Sequence, residues 1–310
     1  SILYLKNEMS LGQISSFVLY SRKFSGPIRE ISNLISDMQS SFAASERVFR
    51  FIDEKREEDD KLDAEKLEKV HGKIDMKNVT FSYDLNEKVL ENLDISAKPN
   101  TVVAIVGPTG CGKTTIINLL MRFYNRNDGE ILVDDKNIDD ITKKSMRQAY
   151  AMVLQDTWLF EGTIYENIAY GNENATLEDV KRVAKLAQID DFIEKLPNGY
   201  DTIISGNGDN ISKGQKQLIN IARAMLIDAK MLILDEATSN IDSKTEIQIQ
   251  NALLEIMKGK TCFIIAHRLS TIKNADQILV LNNGKIIEQG KHEELLEEDG
   301  FYANLFKSQF

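Results

Sequence analysis

Proline and cysteine are both rare in this sequence, at four and two residues among 310. So few prolines, beside 17 glycines, exclude collagen-like and low-complexity chains. Cys111 and Cys262 stand far apart in unlike surroundings. No disulfide framework is implied, and a reducing compartment is the expected setting. Basic residues are also in deficit: 38 Lys and Arg against 48 Asp and Glu leave a formal net charge of −10. Nucleic acids are held largely through their phosphates by Lys and Arg, so this balance argues against a nucleic-acid surface. There is no uninterrupted run of 18 apolar residues, the length at which hydropathy alone identifies a membrane helix. The sequence opens at Ser1 without the basic flank and cleavage site of a secretory signal. What is present, 42% hydrophobic and 28% charged residues, is ordinary for a globular protein of one large or two average domains.

Residues 1–52 read as one unit. Steps of three and four lead from Ile14 through Phe17, Ser21, Phe24, Ile28, Ile31, Ile35, Met38, Phe42 and Ser45 to Phe49, nine apolar residues in eleven. That is the stripe of a helix and not of a strand. Running from Ser10 to Arg50, the helix would be about 60 Å long at 1.5 Å per residue, roughly twice the hydrocarbon thickness of a bilayer. Pro27 removes one backbone donor and is expected to kink it. Arg22, Lys23, Arg29 and Glu30 are costly in lipid unless they face water or protein, so the stretch alone reads as a soluble amphipathic or coiled-coil arm. Residues 53–71 form a charged run, the composition of a solvated linker at a domain boundary. From about Lys73 short apolar segments alternate with helical ones. Strands are expected at Val102–Val106, Ile131–Val133, Met231–Leu234, Cys262–Ile265 and Ile278–Leu281, and helices at 113–122, 178–187, 215–227 and 243–257. Continuous apolar strands of this kind imply an α/β fold with a largely parallel sheet covered on both faces.

Three motifs within residues 72–310 carry chemistry. The first is Gly107-Pro108-Thr109-Gly110-Cys111-Gly112-Lys113-Thr114, which matches G-x-x-x-x-G-K-[ST] directly after the strand TVVAIV. Its glycines let backbone donors encircle phosphate oxygens, and the helix that follows turns its positive end on the same anion. Lys113 adds a point charge, and the Thr114 hydroxyl is suited to Mg²⁺. The second is Met231-Leu-Ile-Leu-Asp235-Glu236, an apolar strand ending in two carboxylates where α/β sheets put their ligands. Asp235 suits Mg²⁺, and Glu236 can act as general base on an attacking water. A solvated strand end is the plainer account of the same two residues. The third is Ile211-Ser212-Lys213-Gly214-Gln215, ahead of an amphipathic helix. Ser212 with Gln215 is a capping box, which by itself would account for both; it also presents a helix N-terminus able to receive an anion.

The order of these motifs, with Gln155 in VLQD and Ala266-His267-Arg268-Leu269-Ser270-Thr271, resembles the nucleotide-binding domain of ATP-binding cassette (ABC) transporters over residues 72–310. The resemblance implies a P-loop NTPase fold with a mostly parallel core sheet, an antiparallel β subdomain and a helical subdomain bearing the signature, preceded by the long N-terminal helix. It implies ATP and Mg²⁺ as ligands, with Thr115 beside Thr114 in the phosphate site and Thr114, Gln155 and Asp235 around the metal. Tyr83, in FSYD, would stack on adenine. Ser212 and Gly214, with Gln215, would reach the γ-phosphate of ATP held by a second subunit, and Asp242 in SNID would communicate across that dimer. Glu236 and His267 would be the catalytic pair, His267 orienting the water.

Residues 1–52 in turn resemble the last transmembrane helix of exporter-type ABC proteins with its cytoplasmic extension. The chain is then expected to be part of a half-transporter, multi-pass in the cell membrane when complete, with its ATPase domain on the cytoplasmic face. Its partner would be a second half-transporter. Lys213 and Ile211 depart from the common signature LSGGQ, and Ser205-Gly206-Asn207-Gly208 departs from GERG. Such drift resembles the glutamate-retaining half of heterodimeric exporters, a homodimer being the alternative. Two other readings compete: a soluble ABC-type ATPase of the chromosome and repair class, and an ATP-bound half that does not hydrolyse. The first would insert a long coiled coil between the phosphate loop and the signature, and no sustained heptads occur there; Glu236 and His267 argue against the second. The transported molecule is not encoded in these residues.

Overall fold

The computed structural model describes residues 9–309 except 85–87, 156, 173, 207, 209, 236–240 and 267–268. It divides at Asp59/Asp60 into two units. The first is a helix, α1 (Leu11–Ile52), of 42 residues. Ser10 starts it with a capping box: the Gln13 N–H donates to Ser10 Oγ at 3.3 Å and the Ser10 N–H to Gln13 Oε1 at 2.8 Å. This satisfies two of the four donors left unpaired at a helix start. The helix continues through Pro27 and buries none of its residues. Among the described residues no helix is long and apolar enough to cross a membrane.

The second unit opens with β1 (Ile74–Phe81), β2 (Leu90–Ala97) and β3 (Val102–Val106), then α2 (Lys113–Leu120). Next come β4 (Asp128–Val133), β5 (Lys136–Asn137), α3 (Lys143–Gln148), β6 (Tyr150–Val153), β7 (Gly162–Thr163), α4 (Ile164–Ala169), α5 (Leu177–Leu186), α6 (Asp190–Glu194) and β8 (Ile203–Ile204). The remainder is α7 (Lys213–Ile227), β9 (Met231–Asp235), α8 (Ser243–Met257), β10 (Thr261–Ile265), α9 (Leu269–Lys273), β11 (Gln277–Asn282), β12 (Lys285–Gly290), α10 (His292–Glu297) and α11 (Phe301–Gln309). A six-stranded sheet has the order β12-β11-β3-β10-β9-β6, parallel except for β12 at its edge. A four-stranded antiparallel sheet has the order β2-β1-β4-β5, and β7 pairs with β8.

The central strands are apolar throughout because both faces of their sheet are covered. Val103 and Ile105, Met231 and Ile233, Phe263 and Ile265, and Leu279 and Leu281 belong to one core, shared with the antiparallel sheet and α2. Their neighbours Ala104, Val106, Leu232, Leu234, Cys262, Ile264, Ile278 and Val280 face a second core built with α4, α5, α7 and α8. The alternation is the period of two of a pleated strand, with apolar residues in both phases. Every expected strand and helix of this unit is present within two residues of its bounds except β4, which begins at Asp128, three residues before Ile131, and which pairs in the antiparallel sheet and not, as its apolar run suggested, in the parallel one.

The charged run 53–71 does not behave as one solvated linker. Its second part, from Asp60, belongs to the ABC-like unit. Glu65 forms an isolated parallel bridge with Ile141, donating its N–H to Asp140 O and accepting from the Thr142 N–H. Asp60 accepts from the Lys143 N–H at 3.1 Å and pairs with the buried Arg122 at 3.7 Å. Leu67 and Val70 pack on the core. Charge density marks exposed side chains here, while the backbone beneath them is docked.

Candidate nucleotide-binding site

The phosphate loop joins β3 to α2, and its backbone is shaped by glycine where no other residue fits. Gly107 has φ +153° and Gly112 has φ +106°. A Cβ on Gly107 would lie 2.2 Å from Leu281 O, and one on Gly112 would lie 2.6 Å from Leu90 Cδ2. Behind the loop stands the β11–β12 hairpin, closed by Asn283-Gly284 with φ of +45° and +75°, the Asn-Gly turn that two-residue hairpins favour. The Gly284 N–H donates to Cys111 O at 3.2 Å, and Gly284 O accepts from the Glu91 N–H at 2.9 Å. The loop is therefore braced from behind by β2 and the hairpin, while Thr109, Gly110 and Thr114 are exposed. These bracing residues were not singled out from the sequence, although the Asn-Gly pair carries the signal.

Lys113 begins α2, and its ammonium folds back over the loop, donating to Gly107 O at 2.8 Å and Pro108 O at 3.0 Å. It lies 3.9 Å from Cys111 Sγ. Cys111 is buried, as is Cys262; burial pushes the Cys111 thiol up, against the opposing pull of the Lys113 charge. Thr114 is exposed and Thr115 buried. The Tyr83 hydroxyl lies 3.2 Å from Thr115 Oγ1, and Asn118 Nδ2 donates to it at 3.4 Å. The aromatic residue expected to stack on a base is thus brought onto the phosphate-loop helix.

Strand register gathers the other candidates at one edge. Ile105 of β3 pairs with Ile265 of β10, which pairs with Asp235 of β9. Asp235 therefore stands two strands, about 10 Å, from the strand that feeds the loop. On the far side of β9, Val153 of β6 pairs with Leu234, so Gln155, exposed just past β6, lies at the same carboxyl edge. Glu236 follows Asp235 in the chain and His267 follows β10 at one residue's remove; both lie outside the described residues. The carboxyl ends of parallel strands are where such sheets bind ligands.

The signature residues lie on another element. Ser212 caps α7, accepting from the Gln215 N–H at 3.2 Å, while the Ser212 N–H donates to Gln215 Oε1 at 2.8 Å. Ser212 and Lys213 are exposed. Gly214 is buried against α8, and a Cβ there would come 2.3 Å from Thr245 Cγ2. Asp242 caps α8 by accepting from the Thr245 N–H at 3.0 Å, which holds its carboxyl below the usual range. No contact joins these residues to the phosphate loop among those described.

Residues 90–239 match the family model described as ABC transporter. The chain carries an ABC transporter domain. It is 50% identical over 306 residues to the ABC transporter ATP-binding protein YfiC of Bacillus subtilis, covering 99% of this chain and 51% of that protein. It is 46% identical over 301 residues to the fatty acid ABC transporter ATP-binding/permease protein of Mycobacterium bovis, covering 97% and 47%. Among solved structures it resembles a bacterial Atm1-family ABC exporter with ATP bound, at a TM-score of 0.79 and 37% identity, over 97% of this chain and 53% of the other. The chain spans about half the length of the relatives it matches. The ABC domain has the mixed α/β fold expected of it, with its parallel sheet, antiparallel sheet and helical layer.

Proposed function

We propose that this chain is the ATP-binding and hydrolysing part of an exporter-type ABC half-transporter, acting with a second half whose loop and signature complete each site. The single observation carrying this reading is the sheet register, which lines up Asp235 and Gln155 at one edge with the phosphate loop, itself already holding a lysine charge. The loop fits a triphosphate: its glycines leave a cradle, and the start of α2 adds backbone donors. Thr114, Gln155 and Asp235 supply oxygen atoms suited to Mg²⁺, which when bound would offset the charge of the terminal phosphates. Lys113 exchanges its two loop carbonyls for phosphate oxygens. Tyr83 offers a ring to adenine.

Hydrolysis requires a base for water, and Glu236 has that role, with His267 orienting the water. The γ-phosphate is approached from the far side by Ser212, Gly214 and Gln215 of the partner half, with Asp242 at the shared boundary. Donors from two chains then act on charge that develops only in the transition state. Closure and separation of the pair bias a membrane element between two states. The relatives' names, a permease and an exporter, support transport of the exporter type; in this reading the complete protein sits in the cell membrane with this domain on the cytoplasmic face, paired as a heterodimer or a homodimer.

The test is Glu236→Gln in the assembled transporter. Loss of a general base lowers turnover by roughly 10²–10⁴-fold while ATP affinity stays. Undiminished turnover overturns the assignment of the base.

A further inference from the structure

Tyr124 lies outside every motif described above, four residues past the end of α2. It is 47% exposed beside Tyr83 at 48%, with Phe81 buried beneath them. The three rings meet edge to face: Tyr83 and Phe81 at 4.8 Å and 86°, Tyr83 and Tyr124 at 5.0 Å and 88°, Phe81 and Tyr124 at 5.8 Å and 61°. This is a favoured arrangement of ring quadrupoles. A ring held nearly perpendicular to two neighbours cannot turn without losing one of them. The phenol end is held as well, by Thr115 and Asn118 of α2. The backbone is stitched in the same place: the Ser82 N–H donates to Asn127 Oδ1 at 2.6 Å, and the Asn127 N–H to Thr80 O at 3.0 Å. The segments bearing Tyr83 and Tyr124 are thereby tied together.

Resting on the ATP site proposed above, we infer that Tyr124 is a positioning residue for the nucleotide base. It holds the plane of Tyr83 in the orientation that receives the base, so that base and triphosphate are bound by one rigid body, the loop with α2. An exposed aromatic left free would lose rotamer freedom on binding, which weakens affinity; here that ordering is already present. The consequence is selective, because only a ligand with a base uses the platform.

The test compares two probes on the full chain, the non-hydrolysable ATP analogue AMP-PNP and inorganic tripolyphosphate, by calorimetric titration with thermal melts of each variant. Tyr124→Leu should weaken AMP-PNP by about two- to tenfold, the worth of one aromatic pair, and leave tripolyphosphate unchanged. Tyr124→Phe, which keeps the ring, should restore AMP-PNP. Should Tyr124→Leu not fold, Tyr124→Met carries the same expectation. Equal weakening of both probes, or no weakening of either, overturns the inference. Tyr83→Ala separates the two levels of the reading. If it weakens AMP-PNP while Tyr124→Leu does not, the base site stands and the positioning role falls. If Tyr83→Ala binds AMP-PNP like the wild type, the base site itself is wrong, and the inference falls with it.

Discussion

Substituting Gly214 by alanine tests whether the signature glycine is there for a distant phosphate or for its own fold. Gly214 is the second residue of α7, where alanine gains up to about 1 kcal/mol of helix propensity over glycine. Taken alone, the exchange should stabilise. The added Cβ, however, lies 2.3 Å from Thr245 Cγ2 and 3.2 Å from Ile241 Cγ2. Threonine is short and stiff at χ1, and Thr245 is on α8, whose start is held by Asp242. Overpacking of this kind costs about 1–3 kcal/mol, so after the propensity gain the net effect is a loss of up to about 2 kcal/mol. In a domain of this size that lowers the melting temperature by up to about 8 °C.

Thr245→Ser removes the methyl and keeps the backbone N–H that Asp242 caps. In that background Gly214→Ala should be neutral or stabilising by up to about 1 kcal/mol. The double-mutant cycle then shows a coupling within the roughly 0.5–3 kcal/mol seen for residues in contact. Urea unfolding of the four proteins reads it directly. Equal effects of Gly214→Ala in both backgrounds would refute the packing argument. A protein as stable as wild type that has lost only ATPase activity would assign the glycine to the phosphate alone.

Three further outcomes follow from the structure. Ser212→Asp keeps an equally good N-cap but sets a carboxylate where the partner's triphosphate would lie, so melting should be unchanged and ATPase activity lost; retained activity would remove Ser212 from the shared site. Neither cysteine should react with maleimide in the native protein at neutral pH, since both thiols are buried, while both should label in denaturant; stoichiometric native labelling of Cys111 would contradict its placement. Burial pushes Cys262 up to about 12. Above the unfolded thiol's value of about 8.5 the unfolded chain therefore releases a proton that the folded one keeps, and stability falls by up to about 1.4 kcal/mol per pH unit towards 12. Cys262→Ala should flatten that slope.

The parallel sheet was legible because burial on both faces leaves strands such as Val102–Val106 and Met231–Asp235 without polar interruption. Helices α7 and α8 were legible because amphipathic runs follow capping residues. Of the antiparallel sheet only the apolar end of β4 was read from residue patterns, and as a strand of the other sheet, since β1 and β2 mix charged and apolar residues on strands covered on one side only. The edge strand β12 alternates between exposed and half-buried residues and gave no continuous run either. The strap from Asp60 was hidden for another reason. Apart from Leu67 and Val70, its contacts are made largely by backbone groups and by carboxylates, and composition reports only that it is charged. The phosphate loop was legible by spacing, whereas Tyr124 and the Asn283-Gly284 brace act through contacts between segments distant in sequence.

Ser212 and Lys113 also bear on whether an internally satisfied residue can serve a ligand. A serine hydroxyl has one proton to donate and two lone pairs. Capping α7 occupies one lone pair of Ser212 with the Gln215 N–H; the hydroxyl proton can still be given to an anion. The cap and the intermolecular contact are therefore compatible, and the cap adds to the second by fixing the hydroxyl at a positive helix end. Lys113 differs, because its ammonium is committed to Gly107 O and Pro108 O and must exchange neutral acceptors for charged ones. Its bonds to the carbonyls are already charge-assisted; a phosphate oxygen adds the Coulomb attraction of opposite charges that a neutral carbonyl lacks, so in the proposed site the exchange is favourable and the loop carbonyls are released as the anion enters. The two halves of the proposed site are thus prepared differently. The signature helix is already in its binding form, while the phosphate loop changes its own hydrogen bonds, which puts the ligand-dependent step on the loop side of the shared boundary.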